Sequence, residues 1–131
     1  MKPLPLLFAA VLFFTAAAAR AQEFSDEQFC TESKAAEATL NAQGPQWVDK
    51  VTRQDGFIVD CAAKSVMYKK YVKLAASDMP QGWENDMQSA WNQYYCANDS
   101  IRAAIANGWT VTVDVTLADD TGRDMTVICG Q

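Results

Sequence analysis

Cys61 stands three residues before Lys64 in the stretch FIVDCAAKSVMYKKYVKL, residues 57 to 74. A neighbouring ammonium stabilises a thiolate, and the thiolate is the nucleophilic form of cysteine. The chemistry on offer is therefore thiol attack. It needs a base, however, and the 131 residues contain no histidine. Cysteine hydrolases and serine triads commonly rely on that imidazole, as do the usual zinc sites. A C-x-x-C pair is missing as well, which removes thioredoxin-type exchange. Period-two geometry also sends Lys64 to the opposite strand face from Cys61. Cys61 thus reads as half of a cystine.

Carboxylates offer a second chemistry. Glu84 and Asp86 precede a tryptophan-rich stripe, and a carboxyl beside an indole can be pushed up into the general-acid range. A small hydrolase using them is an alternative function; the simpler reading is that a helix start favours acidic residues. Asp114, Asp119, Asp120 and Asp124 surround the turn LADDTGRD. They do not follow the EF-hand order, and a hairpin turn calls for Asp and Gly in any case. No metal or other cofactor is expected. Asn98-Asp99-Ser100 is a glycosylation sequon by pattern and a helix cap by the simpler reading.

The chain opens with an export signal. Lys2 is followed by an apolar run from Leu4 to Ala19, and Ala19-Arg20-Ala21 fits a signal-peptidase site with cleavage before Gln22. The run is short for a membrane anchor. The site lacks the cysteine of a lipidated leader, and no later stretch is apolar enough to span a bilayer. The expected destination is the bacterial periplasm or beyond. Residues 22–131 then form one expected domain. Removing Lys2 and Arg20 leaves nine basic residues against sixteen acidic ones, a net charge of −7. That balance disfavours nucleic acid and anionic lipid as partners.

Four cysteines, Cys30, Cys61, Cys96 and Cys129, lie in this exported part. An even count in such a chain predicts two disulfides, with three connectivities open. Cys30–Cys61 with Cys96–Cys129 is preferred, because each loop stays within its own half. The crossed pairing, Cys30–Cys96 with Cys61–Cys129, is the alternative.

These residues need elements to position them. Ser25 and Gln28 form a capping box, Phe24 and Phe29 a hydrophobic staple, and a helix is predicted from Asp26 to Asn41. Phe29, Ala36 and Leu40 share its inner face, and Gly44-Pro45 ends it. Two strands, Trp47–Arg53 and Phe57–Cys61, flank a predicted turn at Gln54-Asp55-Gly56. A third strand runs from Ser65 to Leu74. Val66, Tyr68, Val72 and Leu74 form one face, interrupted by Lys70; Met67, Lys69, Tyr71 and Lys73 form the other. A helix from Trp83 to Tyr95 aligns Trp83, Met87, Trp91 and Tyr94. A short helix, Ile101–Asn107, is stopped by Gly108. Trp109–Leu117 and Arg123–Cys129 alternate as a closing hairpin. The fold class is α+β: an N-terminal helix, an antiparallel sheet with helices on one face, a C-terminal β-hairpin and two disulfides.

The segment from Asp49 to Lys73 carries +3 against −10 for the rest of the exported chain. Its outward strand face, Met67, Lys69, Tyr71 and Lys73, is the candidate binding surface; the plainer reading is a solvated edge protected by lysines. Trp47, Trp83, Trp91 and Trp109 fit core stripes, although four is rich enough for one to be exposed.

GFIVDCAAKSVMY, GWENDMQSAWNQYYC, NGWTVTVDV and the closing Cys129 together resemble small exported proteobacterial proteins of unknown function, over Gly56 to Cys129. The shared features are Val-Asp-Cys, paired tryptophans before a cysteine, and Gly-Trp opening the last hairpin. They specify a fold rather than an activity. A wider similar group has counterparts of Cys96 and Cys129 without the other two, which supports the preferred pairing. The expected function is a non-enzymatic envelope protein that binds another envelope protein, as an inhibitor or immunity protein or as an assembly accessory. A carboxylate hydrolase and a glycan-binding module are the alternatives.

Overall fold

The computed structural model describes residues 23–130. The export signal read over residues 1–21, and the cleavage point before Gln22, lie outside the described residues.

Helix α1 (Asp26–Gln43) begins as its cap predicts: Ser25 is extended and its hydroxyl accepts the Gln28 N–H at 3.2 Å. The Gln28 side chain donates to Glu32 at 3.0 Å rather than closing the box. Phe24 packs on Phe29 with ring centroids 5.8 Å apart, and Phe29 meets Trp109 edge-on at 4.8 Å. The helix runs two residues further than its pattern predicts and stops at Gly44, whose φ of 76° favours glycine.

The inner face of α1 differs from the expected one. Phe29 and Ser33 are buried, while Ala36 is exposed. The reason is where the helix lies. It covers the free edge of β2 (Thr52–Asp60) rather than a sheet face. Asn41 accepts the Phe57 N–H and donates to the Phe57 carbonyl, both at 3.2 Å. Glu37 accepts the Val59 N–H at 2.9 Å, and Lys34 reaches the Val59 carbonyl at 3.3 Å. Polar side chains thus do what a neighbouring strand would otherwise do for those backbone groups.

Five strands form one sheet in chain order: β1 (Gln46–Trp47), β2, β3 (Ser65–Val72), β4 (Thr110–Leu117) and β5 (Gly122–Thr126). Two expectations change. The predicted turn at Gln54-Asp55-Gly56 is a β-bulge inside β2, where the register shifts between Gln54 and Gly56. The chain reverses earlier, at Asp49, whose carboxylate accepts the N–H groups of Val51 (2.8 Å) and Thr52 (2.7 Å). Second, β3 and β4 run parallel, although the other three pairs are antiparallel as expected. A parallel neighbour needs a long crossover. Here it carries α2 (Trp83–Cys96) and α3 (Asp99–Ala106).

Those two helices cover one sheet face. Val111, Val113, Val115 and Leu117 are completely enclosed there, with Phe57, Val59, Val66, Val72, Met125 and Val127 around them. Each such side chain contributes roughly 1.5–3 kcal/mol on burial. Asn98 caps α3 by accepting the Ile101 N–H at 3.0 Å, and Gly108 follows its end at φ 94°. The stripe on α2 ends on Tyr95, which is buried, and not on Tyr94, which is 67% exposed. Four-residue steps from Trp83 through Met87 and Trp91 arrive at Tyr95.

The disulfides are Cys30–Cys61 and Cys96–Cys129, with Cα atoms 5.8 and 5.5 Å apart. One ties α1 to the end of β2, the other ties α2 to the segment after β5. Loops of 31 and 33 residues make each worth on the order of 3–4 kcal/mol by chain entropy.

Candidate functional site

The uncovered sheet face begins at β1. Cross-strand register places Trp47, Arg53, Tyr71 and Thr116 in one row. The Arg53 guanidinium lies 5.4 Å from the Trp47 ring centroid and 4.5 Å from that of Tyr71. Asp55, pushed out by the bulge, holds it with paired hydrogen bonds from Nε and Nη2. This pairing raises the Arg53 pKa above its ordinary value. The Lys73 ammonium sits 6.0 Å from the Trp47 ring. Trp47 is 49% and Val48 60% exposed, and Val51 completes an apolar corner at the sheet edge.

Of the predicted binding residues, Met67, Lys69 and Tyr71 share this face and Lys73 lies one residue beyond β3. Lys69 is committed within the molecule: its Nζ pairs with Asp114 at 3.1 Å. The sequence pattern did not pick out Arg53, and it read Trp47 only as one of four tryptophans fitting core stripes. Their signal is an Arg next to an Asp-Gly bulge, opposite an aromatic whose neighbours do not alternate.

The covered face holds a second feature. Lys70 breaks the apolar alternation of β3 and is only 7% exposed. Among the described residues no carboxylate pairs with it. Its Nζ stands 5.3 Å from the Trp91 ring centroid, 5.8 Å from Tyr95 and 5.9 Å from Tyr68. Tyr68 and Tyr95 stack at 4.4 Å. Desolvation lowers the Lys70 pKa from its ordinary value. The same burial pushes Tyr68 up to about 12 and Tyr95 upward also. The indole N–H of Trp91 is buried without a hydrogen-bond partner among the described residues.

Lys70 lines a cleft of about 580 Å³ between the end of α1, β1 and the α2–α3 junction. Leu40, Tyr94 and Ile101 supply apolar wall, and Gln43, Gln46, Gln54 and Asn98 supply amides. Lys70 is the one charged side chain in that lining. The interruption at Lys70 was visible in the alternation; its cage was not, because Trp91 and Tyr95 come from a different element.

The other candidate chemistries are engaged elsewhere. Cys61 is disulfide-bonded, and Lys64 turns away at φ 52°. Its Nζ donates to the Asn107 carbonyl at 2.8 Å and pairs with Asp26 at 3.3 Å. Asp26 also accepts the Trp109 indole N–H at 2.8 Å, the main cause of its lowered pKa. Glu84 pairs with Arg123 at 2.9 Å, and Asp86 is exposed on the first turn of α2. Asp119 caps its own turn, accepting the N–H groups of Ala76 and Thr121, each at 3.1 Å. No cluster of three or more potential metal ligands occurs among the described residues, and no helix there is long and apolar enough to cross a membrane.

Two solved structures share this fold. A candidate secreted protein of Pseudomonas aeruginosa superposes with a TM-score of 0.61 at 12% identity, over 79% of this chain and 92% of its own. The type II secretion system pilotin AspS of Vibrio cholerae superposes with a TM-score of 0.55 at 16% identity, over 78% and 90%. At such identities the likeness concerns the fold alone. No protein-family model matches the chain, and no curated protein matches it.

Proposed function

We propose that this protein is an exported, non-enzymatic accessory that binds another envelope protein. The observation that carries the reading is the apolar and cationic corner at β1. Trp47, Val48 and Val51 are exposed there, Arg53 is clamped between two rings, and Lys73 stands beside them. Aromatic residues and arginine on a rigid support are the usual anchors of protein interfaces. On residues 22–131, whose net charge is −7, a local cationic patch favours an acidic partner. The two disulfides suit an oxidising compartment. The pilotin among the structural neighbours makes an accessory of an envelope assembly the form of this reading that we favour.

The test uses protein purified from the periplasm after export, immobilised and offered envelope extract. A Trp47→Ser/Tyr71→Ser variant with both disulfides intact should lose a partner that the wild type retains. Equal retention by both proteins contradicts the corner as the docking surface.

A further inference from the structure

We infer that the Lys70 cleft is a second binding site, which receives a carboxylate carried by a short apolar peptide segment of the partner. The inference deepens the docking reading and rests on it for the peptide; the need for a carboxylate rests on the cleft alone. Lys70 and Tyr71 are consecutive, so they project to opposite sheet faces. The cleft is therefore on the other face from the clamped Arg53 row, and the two meet at the β1 edge, where Trp47 of that row also lines the cleft.

Three observations point to the ligand. First, Lys70 is only 7% exposed as a residue, its ammonium faces the cleft, and no acid answers it among the described residues. Every described cation that forms an ion pair does so elsewhere, Lys69 with Asp114 and Arg53 with Asp55 included. The rings of Tyr68, Trp91 and Tyr95 offset part of the desolvation but supply no negative charge. Second, none of the chain's sixteen carboxylates lines the cleft, so an incoming anion meets no repulsion there. Third, the rest of the lining is that of a peptide groove. Leu40, Ile101 and Tyr94 offer apolar surface, and four side-chain amides at the rim can pair with main-chain N–H and C=O groups. A bare inorganic anion would leave most of that wall unused.

The probe is N-acetyl-leucyl-leucine, with its carboxylate free, titrated into isotope-labelled exported protein. Controls are the C-terminal amide of the same dipeptide, decanoate and inorganic phosphate. The account expects the free acid to shift the backbone resonances of Lys70, Tyr95, Ala97 and Ile101 saturably. The amide should bind weaker by about ten-fold or more, because the charge-assisted hydrogen bond to Lys70 is lost. Lys70→Met should erase that difference while leaving both disulfides formed. Equal binding of acid and amide overturns the proposal, and that comparison needs no variant. Shifts produced by decanoate or phosphate with the dipeptide inert would overturn the peptide assignment. If the dipeptide binds as expected but no envelope protein is captured by the β1 corner, the docking reading fails and the cleft stands.

Discussion

Lys70 and Tyr71 follow one another in β3, and the two faces they serve are built on different rules. On Tyr71's face Arg53 is answered by Asp55 and Lys69 by Asp114, and Lys73 stands at the edge beside Trp47. That face is open to water, and its aromatic groups are fixed by cross-strand register rather than by a covering layer. On Lys70's face the neighbours are apolar, aromatic or neutral amides, and the single charge has no acidic partner among the described residues. Burying an ammonium costs free energy that the surrounding rings offset only in part. A satisfied charge on an open face, as at Arg53, fixes the shape of the aromatic residues around it. An unsatisfied one beneath helices is held in readiness for something that arrives.

The comparison breaks most visibly through its aromatic residues. Tyr95→Ala removes a buried ring stacked on Tyr68 and should cost about 3–5 kcal/mol in urea unfolding. Tyr71→Ala, on the open face, should cost about 1 kcal/mol or less. Similar losses at both positions would mean that the two faces are not distinct environments.

The lysines give the smaller and sharper contrast. Lys70→Met should leave stability unchanged or raise it by about 1 kcal/mol, since an uncompensated charge is exchanged for an apolar chain of similar length. Lys69→Met should lower it by up to about 1 kcal/mol, because Asp114 loses its partner. A clear loss at Lys70 together with none at Lys69 would reverse the assignment of which cation is satisfied.

The alkaline pH profile separates the same groups. The folded pKa of Lys70 lies below the ordinary 10.5, because burial disfavours the ammonium. Between those two values the unfolded chain binds more protons, so stability rises with pH. Tyr68 moves the other way, from 10.0 to about 12. Above the ordinary tyrosine value the folded chain holds the extra proton, so stability falls as pH rises further. Thermal unfolding across this range should show the climb and then the fall. Lys70→Met should abolish the climb and keep the fall. A variant that keeps both would remove Lys70 from the explanation.

How far these features were legible depended on whether a contact was local. Alternation along Trp109–Leu117 and along β3 placed the core side chains correctly, and the caps at Ser25, Asn98 and Gly108 follow from neighbours in sequence. The disulfide pairing is the one preferred because each loop stays within its own half of the chain. What failed was one local choice between competing turn residues and several non-local contacts. The Asp-Gly pair at 55–56 has the chemistry of a turn, but Arg53 holds Asp55 and Asp49 makes the reversal instead. Helix α1 was read as an apolar stripe, yet a helix on a sheet edge needs Glu37 and Asn41 to face inward. The parallel β3–β4 pair depends on where a crossover lands, which no periodicity records. Lys70 was visible as an interruption and Trp47 as a surplus tryptophan; their significance came from partners far along the chain.

The central claim is that the β1 corner docks another envelope protein. Its most direct test is photo-crosslinking in living cells, with the reactive amino acid placed at Val48 or at Ile128. Val48 is 60% exposed beside the clamped Arg53, and Ile128 is 65% exposed beyond β5, at the other edge of the sheet. The account predicts one discrete adduct with an envelope protein from position 48, lost with Trp47→Ser, and none from position 128. Adducts of equal yield from both positions, or none from position 48, would contradict it.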